Sequence, residues 1–261
     1  MLIPTFSPMF LKTGNVDNQS IYNVVDNDFR YAKVLDSFGV NFYNCSDLTI
    51  SEICKIKGIK KESLLGYRIS LDESFDLDFG TLENSPLNLV IEYLKHNHSY
   101  FIKNKLPYIK DLIYNLDVED KSYPFFNDLK FIFPIFYEDF VEHILEEEKF
   151  IFTHIQNLSS TKIKSLDHAK LFFALKNISL KDIAEEHLNE DSEMSGIRGL
   201  TKNYSLDNIE NLHLKVIFQE LKDFDNELEI HSNIENKILF PRALELENII
   251  SDKIRNISFL N

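Results

Sequence analysis

Tryptophan is absent from this chain, and cysteine occurs only at Cys45 and Cys54. Two cysteines are too few for a disulfide framework. Seven glycines and seven prolines in 261 residues are also few, which disfavours an all-β fold rich in turns and favours long helices. Basic residues are outnumbered: 28 Lys and Arg stand against 42 Asp and Glu, for a net charge of −14. Phosphate contacts need clustered Lys and Arg, so nucleic acid is not an expected partner. No run of about 18 apolar residues could span a bilayer, and no charged-then-apolar leader opens the chain. No membrane association is expected, and the expected location is the cytoplasm. What the chain does have is 44% hydrophobic residues, 22 of them Phe, enough for a sizeable core in one or two domains.

One phrase occurs twice. His231-Ser-Asn-Ile-Glu235-Asn-Lys-Ile-Leu-Phe240 nearly repeats His143-Ile-Leu-Glu-Glu147-Glu-Lys-Phe-Ile-Phe152, which stands 88 positions earlier. In both, Glu follows His by four, Lys by six and Phe by nine. A four-residue step puts His and Glu on one helical face, a turn apart. Stepping back from Glu235 by threes and fours gives His231, Leu228, Phe224, Leu221, Ile217 and Leu214, and stepping forward gives Ile238. The first copy reads Phe136, Phe140, His143, Glu147, Phe150. The spacing predicts an apolar seam with an imidazole and a carboxylate set into it. A carboxylate on such a seam is costly unless it is paired or binds a metal.

Along the chain, residues 1–18 read as an irregular lead-in and residues 19–70 as a small helical domain. In it, Ile21, Val24, Val25, Phe29, Ala32 and Leu35 fit one helical face, closed at Phe38-Gly39, and Thr49-Ile-Ser-Glu52 reads as a capping box. The acidic stretch 71–85 lacks a clear period and reads as a linker. Residues 86–258 read as four long helices and a C-terminal extra helix, for an all-α fold throughout. Pro86 is placed for the first turn of the first helix, whose face is Leu87, Ile91, Leu94, His98 and Phe101. The second runs from near Pro124 to about Ile155, with Pro134 inside it. A connector over 156–178 holds a short helical stretch at Asp167 to Leu175. Ser179 caps the third helix, read inward as Ile183, His187, Met194 and Ile197. The fourth runs from about Ser205 to Lys237; Pro241 marks a break, and 243–258 pack outside.

Each long helix thus places one imidazole on its apolar stripe: His98, His143, His187 and His231. The second and fourth add Glu147 and Glu235. Imidazoles with carboxylates and no thiolates suit Fe, Mn or Zn. Six donors are too many for one structural zinc, but they suit two ions bridged by the two glutamates. Ferritin-like sites use Glu-x-x-His pairs, and none of these histidines has Glu three residues before it. His154, His168 and His213 have no partner at ligand spacing, and of Glu146-Glu147-Glu148 only Glu147 is read as inward. No Ser/His/Asp arrangement supports hydrolytic chemistry.

At His231-x3-Glu235-x3-Leu239-Phe-Pro-Arg-Ala243, preceded by His143-x3-Glu147, the chain resembles the hemerythrin-like domain. Over about residues 19–258 it resembles the di-iron, iron–sulfur cluster repair proteins of the ScdA/YtfE type. Further matches are Ile21-Tyr-Asn-Val-Val, Tyr31 to Phe42, His98-Ser-Tyr-Phe with Leu106-Pro107, and Glu186-His187-x-Asn-Glu. The resemblance implies a small N-terminal domain before a hemerythrin-like up-down four-helix bundle. It implies two iron ions, oxo- and carboxylate-bridged, on His98, His143, Glu147, His187, His231 and Glu235. It further implies NO or O2 as ligands, iron–sulfur proteins as clients, and a role in nitrosative or oxidative stress. A homodimer stays open.

The chain departs from that pattern twice. The family carries Cys-Cys-Gly-Gly where this chain has Tyr43-Asn44-Cys45-Ser46. The family also has another histidine ligand about 21 residues after the first; here Leu116-Asp-Val-Glu119-Asp120-Lys121 stands there, with Glu119 or Asp120 as the available oxygen ligands. Two alternatives therefore stand beside cluster repair: an O2, NO or redox sensor without repair activity, and a metal-free helical interaction protein.

Overall fold

The computed structural model describes residues 16–70, 79–117, 123–160, 179–189 and 194–258, the side chains of 69, 70, 160, 186–189, 254 and 256–258 excepted. The fold is all-α, and among the described residues the only β pairing is an isolated bridge between Ser20 and Thr49. No described helix is long and apolar enough to cross a membrane. Residues 1–15 of the lead-in, most of the linker, Glu119, Asp120, His168 and the Asp167–Leu175 stretch lie outside the described residues. The chain divides into two compact units. One holds the described residues of Met1–Phe75 with Asn208–Val216; the other holds those of Asp76–Asp207 with Ile217–Asn261.

In the first unit the Ile21–Leu35 face is carried by two helices, α1 (Ile21–Asn27) and α2 (Arg30–Ser37). The break has a cause at Asp28, which is extended at φ −152°. Its carboxylate accepts the Arg30 backbone N–H at 3.2 Å, the Arg30 Nε at 2.8 Å and the Arg68 Nε at 2.7 Å. A short polar side chain that captures nearby N–H groups competes with helix continuation. α3 (Ile50–Lys57) begins with both halves of the Thr49/Glu52 capping box and ends at Gly58, φ +67°, the left-handed position that glycine adopts without strain. α4 (Lys61–Ser70) completes the unit. Ile21, Val25, Val34, Leu35, Ile50 and Leu64 are fully buried, each stabilising by about 1.5–3 kcal/mol. Residues 208–216 group with this unit: the His213 ring stacks on Tyr43 at 4.2 Å, and Lys215 Nζ donates to Asp26 at 3.0 Å.

The second unit is a helical bundle. α5 (Phe79–Glu83) lies within the stretch read as a linker. The first long helix is α6 (Leu87–Tyr100), a π-helical turn (Phe101–Lys105) and α7 (Leu106–Asn115). The second is α8 (Phe125–Glu146), a π turn (Glu147–Phe152) and α9 (Thr153–Ser160). The third begins as α10 (Leu180–Asn189), where Ser179 Oγ accepts the Asp182 N–H at 3.2 Å, and α11 (Ser195–Leu200) is a separate segment. Among its described side chains Leu180 and Ala184 are buried, one position off the face read through Ile183, which is half-buried. The fourth is α12 (Leu212–Ile234), a π turn (Glu235–Leu239) and α13 (Phe240–Ser258).

α7 packs on α8 and α6 on α9, so the first two long helices run antiparallel. α13 packs on α9 and α10. Pro241 does not break the helix. It sits at the second position after a π turn, as Pro107 does after the turn in the first helix. The wider turn rearranges the carbonyls that a proline ring would otherwise meet. Nor does 243–258 pack outside: Ala243 and Ile250 are buried in a cluster with Val90, Leu94, Phe152, Ile155 and Leu180.

Candidate metal centre

Three π turns follow the described site residues. One starts three residues after His98, one at Glu147 and one at Glu235. Such turns admit an extra residue into an α-helix and concentrate at functional sites. Here they rotate the face that follows. Phe150, read as an inward seam residue, is 49% exposed, while Phe152 is fully buried against the site.

His98, Glu147, His231 and Glu235 converge. One ligand atom from each lies within 4.8 Å of all the others, and the four residues are 1%, 3%, 7% and 1% exposed. His98 Nε2 is 2.9 Å from His231 Nε2. His231 Nε2 is 3.1 Å from Glu235 Oε1, and His98 Nε2 is 3.5 Å from Glu147 Oε2. Apolar walls close the set: Phe152 stacks on His98 at 5.5 Å, and Phe101 meets His231 edge-on at 5.8 Å. Beyond Phe101, Phe140 and Phe224 continue the aromatic layer.

Electrostatics agree with ligation. Burial, with the His231 ring beside it, drives the His98 imidazole down to about 3, so its ring is neutral near pH 7. His231 Nδ1 is buried without a hydrogen-bond partner. Two carboxylates and two imidazoles with their donor atoms facing one another, away from water, form a set that a cation satisfies. By donor chemistry and spacing these residues fit a metal ion.

The remaining candidates differ. His143 is half-buried and outside this set, though close enough for its charge to act on His98. His187 belongs to α10, but its side chain lies outside those described. His96, two residues before His98, is exposed. His154 is buried 3.6 Å from Glu247. One residue was missed. Glu148, read as helix surface, places Oε1 2.9 Å from His98 Nδ1. Its signal was the phenylalanine nine residues after each histidine, out of phase with a regular helix.

No protein-family model matches the chain. It is similar to a protein named iron–sulfur cluster repair protein ScdA, from Staphylococcus haemolyticus (strain JCSC1435). The two are 20% identical over 232 residues, which cover 86% of this chain and 98% of that protein.

Proposed function

We propose that this chain is a non-haem iron protein that supports the repair of damaged iron–sulfur clusters. The observation that carries the reading is the buried set of two imidazoles and two carboxylates at the centre of a helical bundle. The similarity to a protein named for cluster repair, over nearly its whole length, supports the choice of metal and role. In this reading His98, His231, Glu147 and Glu235 hold iron, and His143 and His187 remain the candidate donors for a second ion. Iron bound there supplies a redox-active centre able to take NO or O2. The protein's own part is to exclude water with Phe101 and Phe152, and to keep His98 neutral by burial.

A second reading, a sensor without repair activity, draws on the first unit. Cys45 is half-buried, its Sγ donates to the Asn41 carbonyl at 3.4 Å, and burial pushes the thiol up. A thiol so held is a poor nucleophile.

The test is metal quantification with an optical spectrum, followed by incubation with an iron–sulfur dehydratase inactivated by NO. Bound iron and recovery of dehydratase activity are expected. Iron with a stable NO adduct but no recovery would select the sensor. Less than about one transition metal per chain would remove both.

A further inference from the structure

We infer that Glu148 is a positioning residue for this centre: it fixes His98 as the Nδ1–H tautomer and aims its bare Nε2 at the metal position. The inference rests on the iron reading above and adds a residue that the ligand set does not contain.

The argument starts from the backbone. On a regular α-helix, neighbours point about 100° apart, so Glu147 and Glu148 cannot serve one partner equally. A π turn opens at Glu147. The two consecutive carboxylates bracket one imidazole: Glu147 Oε2 is 3.5 Å from His98 Nε2, and Glu148 Oε1 is 2.9 Å from Nδ1. The first contact lies on the ligand side of the ring and the second on the opposite side.

The chemistry follows from the hydrogen inventory. A carboxylate has no hydrogen to give, so His98 Nδ1 donates to Glu148. A neutral imidazole holds one N–H, so Nε2 keeps a free lone pair. A metal-ligating histidine commonly donates its other ring N–H to a carboxylate, a backbone carbonyl or water, and that partner sets tautomer, orientation and basicity. The second copy of the repeat has no equivalent. Asn236 stands at the matching position, its Nδ2 donates to Ser232 Oγ at 3.2 Å, and His231 Nδ1 has no partner. The two imidazoles are therefore inequivalent: one is fixed by the protein and the other is left to adapt.

The test uses the full chain. In the metal-free protein, the 15N shifts of the two ring nitrogens report the His98 tautomer without reference to any activity. In wild type His98 is expected to be Nδ1–H alone. Glu148→Ala is expected to mix the tautomers and weaken Fe(II) binding by about 10- to 100-fold. Glu148→Gln keeps an acceptor carbonyl and is expected to restore the tautomer and most of the affinity. Glu146→Ala removes the same charge two residues away, from an exposed side chain, and is expected to change neither readout. Unaltered His98 shifts in Glu148→Ala, or an equal loss of affinity in Glu146→Ala, would overturn the inference. If wild type binds no metal, the iron reading fails, and the tautomer readout still decides whether Glu148 fixes the ring.

Discussion

His98 and His231 point their Nε2 atoms at each other across 2.9 Å, and only one hydrogen fits between them. Glu148 holds the His98 hydrogen on the far nitrogen. The shared hydrogen therefore belongs to His231, whose Nε2 also lies 3.1 Å from Glu235 Oε1. A proton occupies the place where a cation would sit, which links the metal-free and metal-bound states through one imidazole.

The first prediction concerns that imidazole. To ligate through Nε2, His231 must move its hydrogen to Nδ1, which has no partner to receive it. Titration with Zn(II), a diamagnetic probe, should convert His231 from the Nε2–H to the Nδ1–H form while His98 stays unchanged. Ring 15N shifts read both residues at once. Movement at His98 in place of His231 would reverse the assignment.

A second prediction concerns acid stability. His98 is held down to about 3 in the folded chain by burial and the His231 ring, against an unfolded value near 6.5. The unfolded state therefore binds more protons between those values, so the metal-free protein should lose stability as pH falls from about 6.5 toward 3. The slope from this one group is at most about 1.4 kcal/mol per pH unit. Urea unfolding of wild type and His98→Asn at pH 6.5, 5.5 and 4.5 measures it. The variant should show the shallower slope; identical slopes would remove His98 as the cause.

A third prediction reverses sign with loading. Glu147 and Glu235 bring two buried carboxylates into one donor set, which costs stability when no cation is bound. Glu235→Gln keeps a carbonyl toward His231 and removes one charge. It should raise the stability of the metal-free protein by about 1–3 kcal/mol and weaken iron binding at least tenfold. Thermal melts with and without Fe(II) test both halves. A metal-free variant less stable than wild type would count against the carboxylates being in conflict.

How much of this was legible follows from the helix period. The four-residue steps His143 to Glu147 and His231 to Glu235 lie before the wide turns, so periodicity read that face correctly for His231, Glu147 and Glu235. Beyond Glu147 and Glu235 it failed. Nine residues on a regular helix is two and a half turns, which would put Phe152 and Phe240 opposite the histidines. Both are buried, because each π turn absorbs one extra residue. The same extra residue turned Phe150 out, and no propensity scale carries that information. The break at Asp28 was hidden for a related reason. Beside its local bonds to Arg30, its carboxylate is held by Arg68, 40 residues away, so part of the competition that ends α1 is tertiary. The all-α fold and the Thr49 cap depended on local pattern alone, and local pattern sufficed.

A last prediction concerns Lys105, the final residue of the first π turn, which is 3% exposed. Its ammonium donates to Glu220 at 3.0 Å and lies 3.5 Å from Glu227, tying the helix of His98 to the helix of His231. Burial pulls the lysine down, but Glu220 and Glu227 outweigh it and hold it above the ordinary lysine range. The pair's contribution is thus complete below a pH of about 10.4, lysine's unfolded value, and is lost only as pH rises through the higher folded value. Lys105→Met strands Glu220 in the core and should cost about 3–5 kcal/mol at pH 7. Adding Glu220→Leu removes the stranded charge and should recover most of that loss, since an apolar pair of similar volume often replaces a buried ion pair without penalty. Urea unfolding of the single and double variants gives the coupling energy. If the double variant is as unstable as the sum of the singles, Lys105 and Glu220 act independently.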